Sequence, residues 1–279
     1  MTQIRGKAAV VSGGGSGLGR GIALALAAQG AKIVVGDIMP ENAQAVADEI
    51  IARGGQAIAV DCDVSDRESV RTLKRKANEA FGAILLVIPN AGATSFRKLH
   101  TLSDNDIDWI IEVNLMGVLN FVQAFLPDML AAGDGHFVAS ASVAGLIPTL
   151  ITDHVAYSAA KAGVIGAMMN LRRELEGTGV QSTTFCVASV DGNMRANNSK
   201  YRPVRFGGPY EEAITTPASF KRGTPKSPEE VAGMVLAAIR NNRPMLVSDS
   251  NYRRPFMEQY VEAVVQAFDD VDEFYRQRA

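Results

Sequence analysis

The residues with the most chemical content are glycines. Ser12-Gly13-Gly14-Gly15-Ser16-Gly17-Leu18-Gly19 follows the apolar run Ala8-Ala9-Val10-Val11, and Leu18, Ile22, Ala25 and Leu26 then recur at helical spacing until Gly30. Glycines at such a turn let main-chain N–H groups approach a pyrophosphate at the positive end of a helix, where a Cβ would hold the phosphates off. The next apolar run, Lys32 to Gly36, stops at Asp37, 18 residues after Gly19. A carboxylate there can accept both hydroxyls of an adenosine ribose and would repel a 2′-phosphate, so NAD(H) is favoured over NADP(H). The strict Gly-x-Gly-x-x-Gly/Ala spacing fails in every register, whereas Gly13-x-x-x-Gly17-x-Gly19 fits. A second pairing is Tyr157 with Lys161, four apart and so on one helical face. With six tyrosines in the chain that spacing can arise by accident, so its position must carry its meaning.

The elements that would position these groups alternate. After Asp37, Glu41 to Arg53 has helical spacing, and a strand at Ala57 to Val60 ends in Asp61-Cys62-Asp63-Val64. Ser65-Asp66-Arg67-Glu68 then reads as a capping box for a helix to Phe81. Asp63 thus lies at the carboxyl end of a strand, where ligands of open parallel sheets bind. Ala83 to Ile88 is apolar throughout, as a strand covered on both faces should be, and Pro89-Asn90-Ala91-Gly92 closes it with small residues. Further strands are expected at His136 to Ala139, Gln181 to Val187 and Met245 to Ser248, with a loop at 143–153 and helices at 103–130, around 155–176, from Ser227, and at the C-terminus along Phe256, Tyr260, Val264 and Phe268. Residues 191–226 show no periodicity and read as a lid or binding loop. Apolar residues cover nearly the whole circumference of the 103–130 helix, which calls for a second packing partner, and another subunit is the expected supplier. Asn114 sits among them and must be hydrogen-bonded, either propping a backbone kink or holding a functional water.

Composition excludes several functions. With 28 Lys+Arg against 30 Asp+Glu, the chain has no electrostatic footprint for nucleic acid or anionic lipid, so the expected partner is a small molecule. Cys62 and Cys186 lack metal-ligand or redox spacing and read as inert thiols; no metal is expected. The longest apolar runs, such as Ile84 to Ile88, are too short to span a bilayer, and a cytoplasmic protein without membrane contact is expected.

Gly13-x-x-x-Gly17-x-Gly19, Asp37, Asp63-Val64, Asn90-Ala91-Gly92, Asn114, Ser142 and Tyr157-x-x-x-Lys161, in that order, resemble the short-chain dehydrogenase/reductase family over nearly the entire chain. The resemblance implies an α/β fold: a single Rossmann-type doubly wound domain over 1–279, with a seven-stranded parallel sheet and helices on both faces. It implies NAD bound by Gly13, Ser16, Gly17, Leu18, Gly19, Asp37, Asp63, Val64, Asn90, Ala91, Gly92, Tyr157, Lys161 and Val190. It also implies a secondary alcohol or ketone substrate, and assembly as a homodimer or homotetramer through the 103–130 and 155–176 helices. A phenol with an ordinary pKa of about 10 is a poor base at neutral pH, and the Lys161 charge one turn away favours phenolate. By similarity Lys161 also bonds the nicotinamide ribose, Ser142 orients the substrate oxygen, and Asn114 holds a water that relays protons.

The chain departs from the family after the sixth strand. Val187-Ala188-Ser189-Val190-Asp191-Gly192 stands where Pro-Gly-x-Val-x-Thr is usual and retains only the valine. That stretch motivates an alternative, a nucleotide-binding or sensing protein that has lost redox activity; intact Tyr157 and Lys161 weigh against it. Asn197-x-Ser199-x-Tyr201-Arg202-Pro203 and Ala238-Ile239-Arg240-x-Asn242-Arg243 resemble a bacterial subgroup that includes Cα-dehydrogenases of lignin-derived aryl ethers. A bulky, partly aromatic substrate is therefore expected, with Tyr201 and Phe206 as candidate contacts. The basic cluster Lys200, Arg202, Arg205, Lys221 and Arg222 reads as a solvated loop rather than an attractor of acidic substrates.

Overall fold

In the computed structural model, which describes residues 1–192, 194, 200–210 and 224–278, the apolar runs pair side by side in one parallel sheet. Its strands are β1 (Ala8–Ser12), β2 (Lys32–Asp37), β3 (Gln56–Asp61), β4 (Ile84–Ile88), β5 (Gly135–Ser142), β6 (Val180–Val187) and β7 (Met245–Val247). Their order is β3-β2-β1-β4-β5-β6-β7. Successive side chains of a strand point to opposite faces, so Ala9 and Val11 serve one core while Ala8 and Val10 serve the other. The first core is covered by α1 (Gly17–Ala28), α2 (Pro40–Ala52) and α8 (Pro228–Arg240), through Ile22, Leu26, Ile50, Val231 and Ile239. The second is covered by α3 (Arg67–Phe81), α5 (Gly117–Ala132) and α7 (Val155–Glu174), through Leu73, Phe121, Phe125, Val164 and Met168. Helices on both faces of seven parallel strands make this the Rossmann-like fold expected.

Three local expectations fail for identifiable reasons. Ser65 does not cap α3: its main-chain N–H bonds Asp63 Oδ1 at 3.0 Å and its hydroxyl bonds the same oxygen. Asp66 becomes the N-cap instead, accepting from the Glu68 N–H. Residues Val143–Leu146, expected as loop, form a single helical turn, α6, because the Ser142 hydroxyl accepts the Ala144 N–H and opens it.

The stretch expected as one helix over 103–130 is α4 (Asp104–Ile111), a wide π turn (Glu112–Met116) and α5. Together Asp104–Ala132 is 29 residues long and contains an 18-residue window of mean hydropathy 1.5, long and apolar enough to cross a membrane by those measures, which the short apolar runs do not indicate. Half of that apolar window is buried in the protein, where Phe121, Phe125 and Met129 fill the core under the sheet. The remaining circumference leaves Leu119 and Leu130 exposed.

The C-terminal segment continues as α9 (Arg253–Phe256), a second π turn (Met257–Val261) and α10 (Glu262–Arg276). Phe256 packs on a small cluster with Val143, Ile147, Leu150 and Tyr252. Tyr260, Val264 and Phe268, which continue its stripe, are exposed.

Candidate active site

Strands β1 and β4 are neighbours, with β2 and β3 on one side and β5 to β7 on the other. At such a switch the loops beyond the strand ends diverge and leave a crevice. A cleft of about 410 Å³ opens there, and every expected cofactor residue lines it, as do Ser142, Tyr157 and Lys161. Asn114 alone among the expected site residues lies behind the wall, fully buried in the π turn.

The floor is made by close approach. A Cβ on Gly13 would stand 2.9 Å from Ala91 Cα, and one on Gly19 would fall on the Gly13 carbonyl oxygen. Gly17 needs glycine for another reason, a φ of +48°. Ser12 ties the floor to β4: its hydroxyl accepts the N–H groups of Asn90 (2.9 Å) and Ala91 (3.1 Å), and Ser140 donates to the Asn90 carboxamide at 3.1 Å.

At one end of the cleft, Asp37 accepts the Gly15 N–H on one oxygen (2.9 Å) and the Met39 N–H on the other (3.0 Å). Each carboxylate oxygen keeps a further lone pair for a ligand. Burial raises its pKa, and those N–H groups pull in the opposite direction. Asp63 holds Ser65 as described, and its own N–H donates to Ser69 Oγ at 3.0 Å.

At the other end, the Ser142 hydroxyl donates to the Val187 carbonyl at 3.4 Å and accepts the Ala144 N–H at 3.1 Å, and it lies close enough to the Tyr157 hydroxyl to lower its pKa. The Lys161 ammonium nitrogen donates to the Ser140 carbonyl at 2.7 Å and lies 5.7 Å from the Tyr157 ring centroid. Burial pushes the phenol up to about 12, against the Ser142 hydroxyl that lowers it, and pulls the amine down to about 7. Burial thus favours neutral phenol and, above about pH 7, neutral amine. Helix α6 presses on α7 at this point, since a Cβ on Gly145 would fall against the Lys161 carbonyl carbon.

The depressed amine makes stability depend on pH. Between about pH 7 and the ordinary lysine value near 10.5, the unfolded chain binds more protons at this amine than the folded one, so the amine's contribution to stability rises with pH across that window. Urea unfolding of the cofactor-free protein from about pH 7 to about pH 8.5, below the range where the buried Cys62 and Cys186 thiols pull stability down, should show this rise, and Lys161→Met should flatten it. Equal slopes in the two proteins would contradict the desolvated amine.

Asn114 takes the kink-propping role: its Nδ2 donates to the carbonyls of Ala93 (2.7 Å) and Ile110 (2.8 Å), joining the π turn to the segment after β4. Its Oδ1 is buried with no hydrogen-bond partner among the described residues, and a Cβ on Gly92 would stand 3.0 Å from it. The altered stretch after β6 lines the cleft from Val187 to Gly192. It is fixed by the Ala188 N–H on Ser248 Oγ (2.8 Å) and by a β-bridge between Val190 and Lys226, so the ends of the long non-periodic segment meet.

Phe206, expected as a substrate contact, is instead buried with Ala93 and Trp109. Tyr201 does line the cleft, on the side of Asn42. Arg202 is not solvated: it is buried and paired with Asp106 at 2.7 Å. Lys221 and Arg222 lie outside the described residues.

His154 belongs to no motif in the sequence, yet it stands at the site. It stacks between Phe96 and Tyr157, with centroids 4.4 Å apart on each side, and bonds Thr94 Oγ1 at 2.8 Å. Its spacing from Tyr157, three residues along the same helical face, is the signal that could have found it. Both cysteines are buried, and burial pushes their thiols up to about 12, which leaves them inert as expected.

A glycine-floored crevice thus lies at the sheet's switch point, with an acid at one end and a serine, a tyrosine and a lysine at the other. The chain belongs to the short chain dehydrogenase family, whose model matches residues 7–203. It is 35% identical over 192 residues to oxidoreductase UcpA of Escherichia coli (strain K12), covering 68% of this chain and 72% of that protein. It is 30% identical over 271 residues to C alpha-dehydrogenase of Sphingobium sp. (strain NBRC 103272 / SYK-6), covering 95% and 87%. A short chain dehydrogenase/reductase from Burkholderia phymatum, solved in complex with NAD, superposes with a TM-score of 0.87 at 30% identity, covering 95% of this chain and 97% of that one.

Proposed function

We propose that the protein is an NAD(H)-dependent oxidoreductase interconverting a secondary alcohol and a ketone on a bulky, partly aromatic substrate. The observation that carries this is the meeting of Ser142, Tyr157 and Lys161 at one end of the glycine-floored cleft. The glycine floor, where Cβ atoms would collide with backbone, fits a pyrophosphate. Asp37 would accept the ribose hydroxyls and disfavour a 2′-phosphate. Bound NAD+ supplies the acceptor for hydride, and its ring charge favours phenolate. Ser142 orients the substrate oxygen, and Tyr157 takes the hydroxyl proton as hydride leaves. Lys161 supports the phenolate when protonated and bonds the nicotinamide ribose. The Asn114 Oδ1 fits a water as acceptor, and that water would relay the proton onward.

The substrate class rests on the walls around Tyr157. Phe96, His154, Leu150, Ile151 and Tyr252 line the cleft there, a largely uncharged and aromatic surface. The relationship to a C alpha-dehydrogenase supports the same class. Assembly as a homodimer or homotetramer through the 103–130 and 155–176 helices belongs to this reading, supported by exposed Leu119, Leu130, Val155 and Met169.

NAD+ reduction measured against aromatic and aliphatic secondary alcohols, with NADP+ in parallel, tests the assignment. We expect benzylic alcohols with NAD+ to give the highest kcat/KM; preference for small aliphatic alcohols, or for NADP+, would contradict it.

A further inference from the structure

The segment 200–206 reaches the Asp37 end of the cleft through Tyr201. Tyr201 and Pro203 line the cleft, and Asn42 Nδ2, in the first turn of α2, donates to the Tyr201 hydroxyl at 3.4 Å. Asn42 belongs to the ribose end: a Cβ on Gly15 would stand 2.7 Å from Asn42 Cβ and 2.9 Å from Asp37 Oδ2. The Tyr201 hydroxyl therefore stands near the carboxylate that would take the ribose. Four residues on, Arg205 reaches the Asp63 carboxylate at 3.6 Å and Glu112 at 3.1 Å, and also bonds the Ser65 hydroxyl.

Arg202 anchors the segment between these two points. Its side chain is 8% exposed, and its guanidinium pairs with Asp106 at 2.7 Å and lies over the rings of Trp109 and Tyr210 at 5.5 and 5.2 Å. Asp106 is itself fixed, closing the capping box of α4 with Ser103 and pairing with Arg97 at 2.7 Å. A buried guanidinium is tolerated only with such partners, so a segment carrying one is held in place.

We propose that residues 200–206 form a clamp on the adenosine half of the dinucleotide rather than a cover for the substrate. Tyr201 and Pro203 are its contact surface, Arg202 is its anchor, and Arg205 is a positioning residue that acts through Asp63. This inference rests on the dinucleotide reading above.

Calorimetric titration with ADP-ribose, which carries the adenosine half and no nicotinamide, separates the two. Tyr201→Ala should raise the ADP-ribose Kd by about tenfold, and Arg205→Ala by about threefold with partial recovery in Arg205→Lys. Thermal melts of these variants, whose changes lie at the cleft rim or at an exposed side chain, check that they fold. If the unaltered chain binds ADP-ribose and the alanine variants bind it equally well, the clamp is overturned while the dinucleotide reading stands. Variants that raise only the KM for the alcohol would overturn the clamp in the same way. If the unaltered chain binds neither NADH nor ADP-ribose, the dinucleotide reading falls and the clamp with it.

Discussion

Tyr157→Phe should lower kcat by about 10³-fold while NADH still binds, because a positioned proton acceptor contributes roughly 10² to 10⁴ to such a step. The substitution removes only the hydroxyl beside Ser142. The ring, stacked on His154 at 4.4 Å, stays in place, so packing around the cleft is kept. Steady-state turnover paired with a binding titration reads both effects. Undiminished turnover would remove the tyrosine from the reaction. Equal losses of turnover and binding would mean that the phenol holds the site together and does no proton transfer. Burial holds the phenol near 12, so a base at this position needs positive charge close by before it can take a proton at neutral pH.

Gly19→Ala should weaken NADH binding by about 10²-fold or more and lower the melting temperature. Its Cβ would fall on the Gly13 carbonyl oxygen and stand 2.8 Å from Asn90 Nδ2, so two sides of the crevice floor must part. Backbone cannot swing aside as a flexible side chain can. Gly17 offers a contrast, since nothing lies within 4 Å of a Cβ there and the cost is its φ of +48° alone, about 1–2 kcal/mol. Titration of both variants with NADH should therefore show the larger loss at Gly19. Wild-type affinity in Gly19→Ala would mean that phosphates do not lie on this floor.

Most of the fold is legible in the sequence because its signals are local. An apolar run of five residues such as Ile84–Ile88 reads as a strand covered on both faces, and it is one. Glycines, strand ends and the Tyr157–Lys161 spacing likewise place the expected cofactor residues on the lining of the cleft, whereas Phe96, Leu150, Ile151, His154 and Tyr252 around Tyr157 carry no such signal. What escapes depends on partners distant in sequence. Nothing near Arg202 announces that its partner is Asp106, 96 residues earlier, so a basic residue in a non-periodic stretch reads as solvated. Phe206 reads as a substrate contact for the same reason, although Ala93 and Trp109 bury it. Ser65 has the right type and spacing to cap α3, but the competing Asp63 carboxylate two residues away takes its hydroxyl. The π turn around Asn114 has no periodic signature, and its cause, the carboxamide bridging Ala93 and Ile110, is tertiary.

The bridge between Val190 and Lys226 has an evolutionary corollary. Chain that leaves and re-enters a scaffold at one point can lengthen cheaply, since doubling such an excursion costs only about 0.6 kcal/mol of closure entropy. Inserted residues there would leave the pairing of β6 with β7 untouched, because the stem is already closed before the excursion begins. Descendants of this gene can therefore diversify at the mouth of the crevice by insertion and deletion, with the Tyr157–Lys161 end of α7 inherited unchanged.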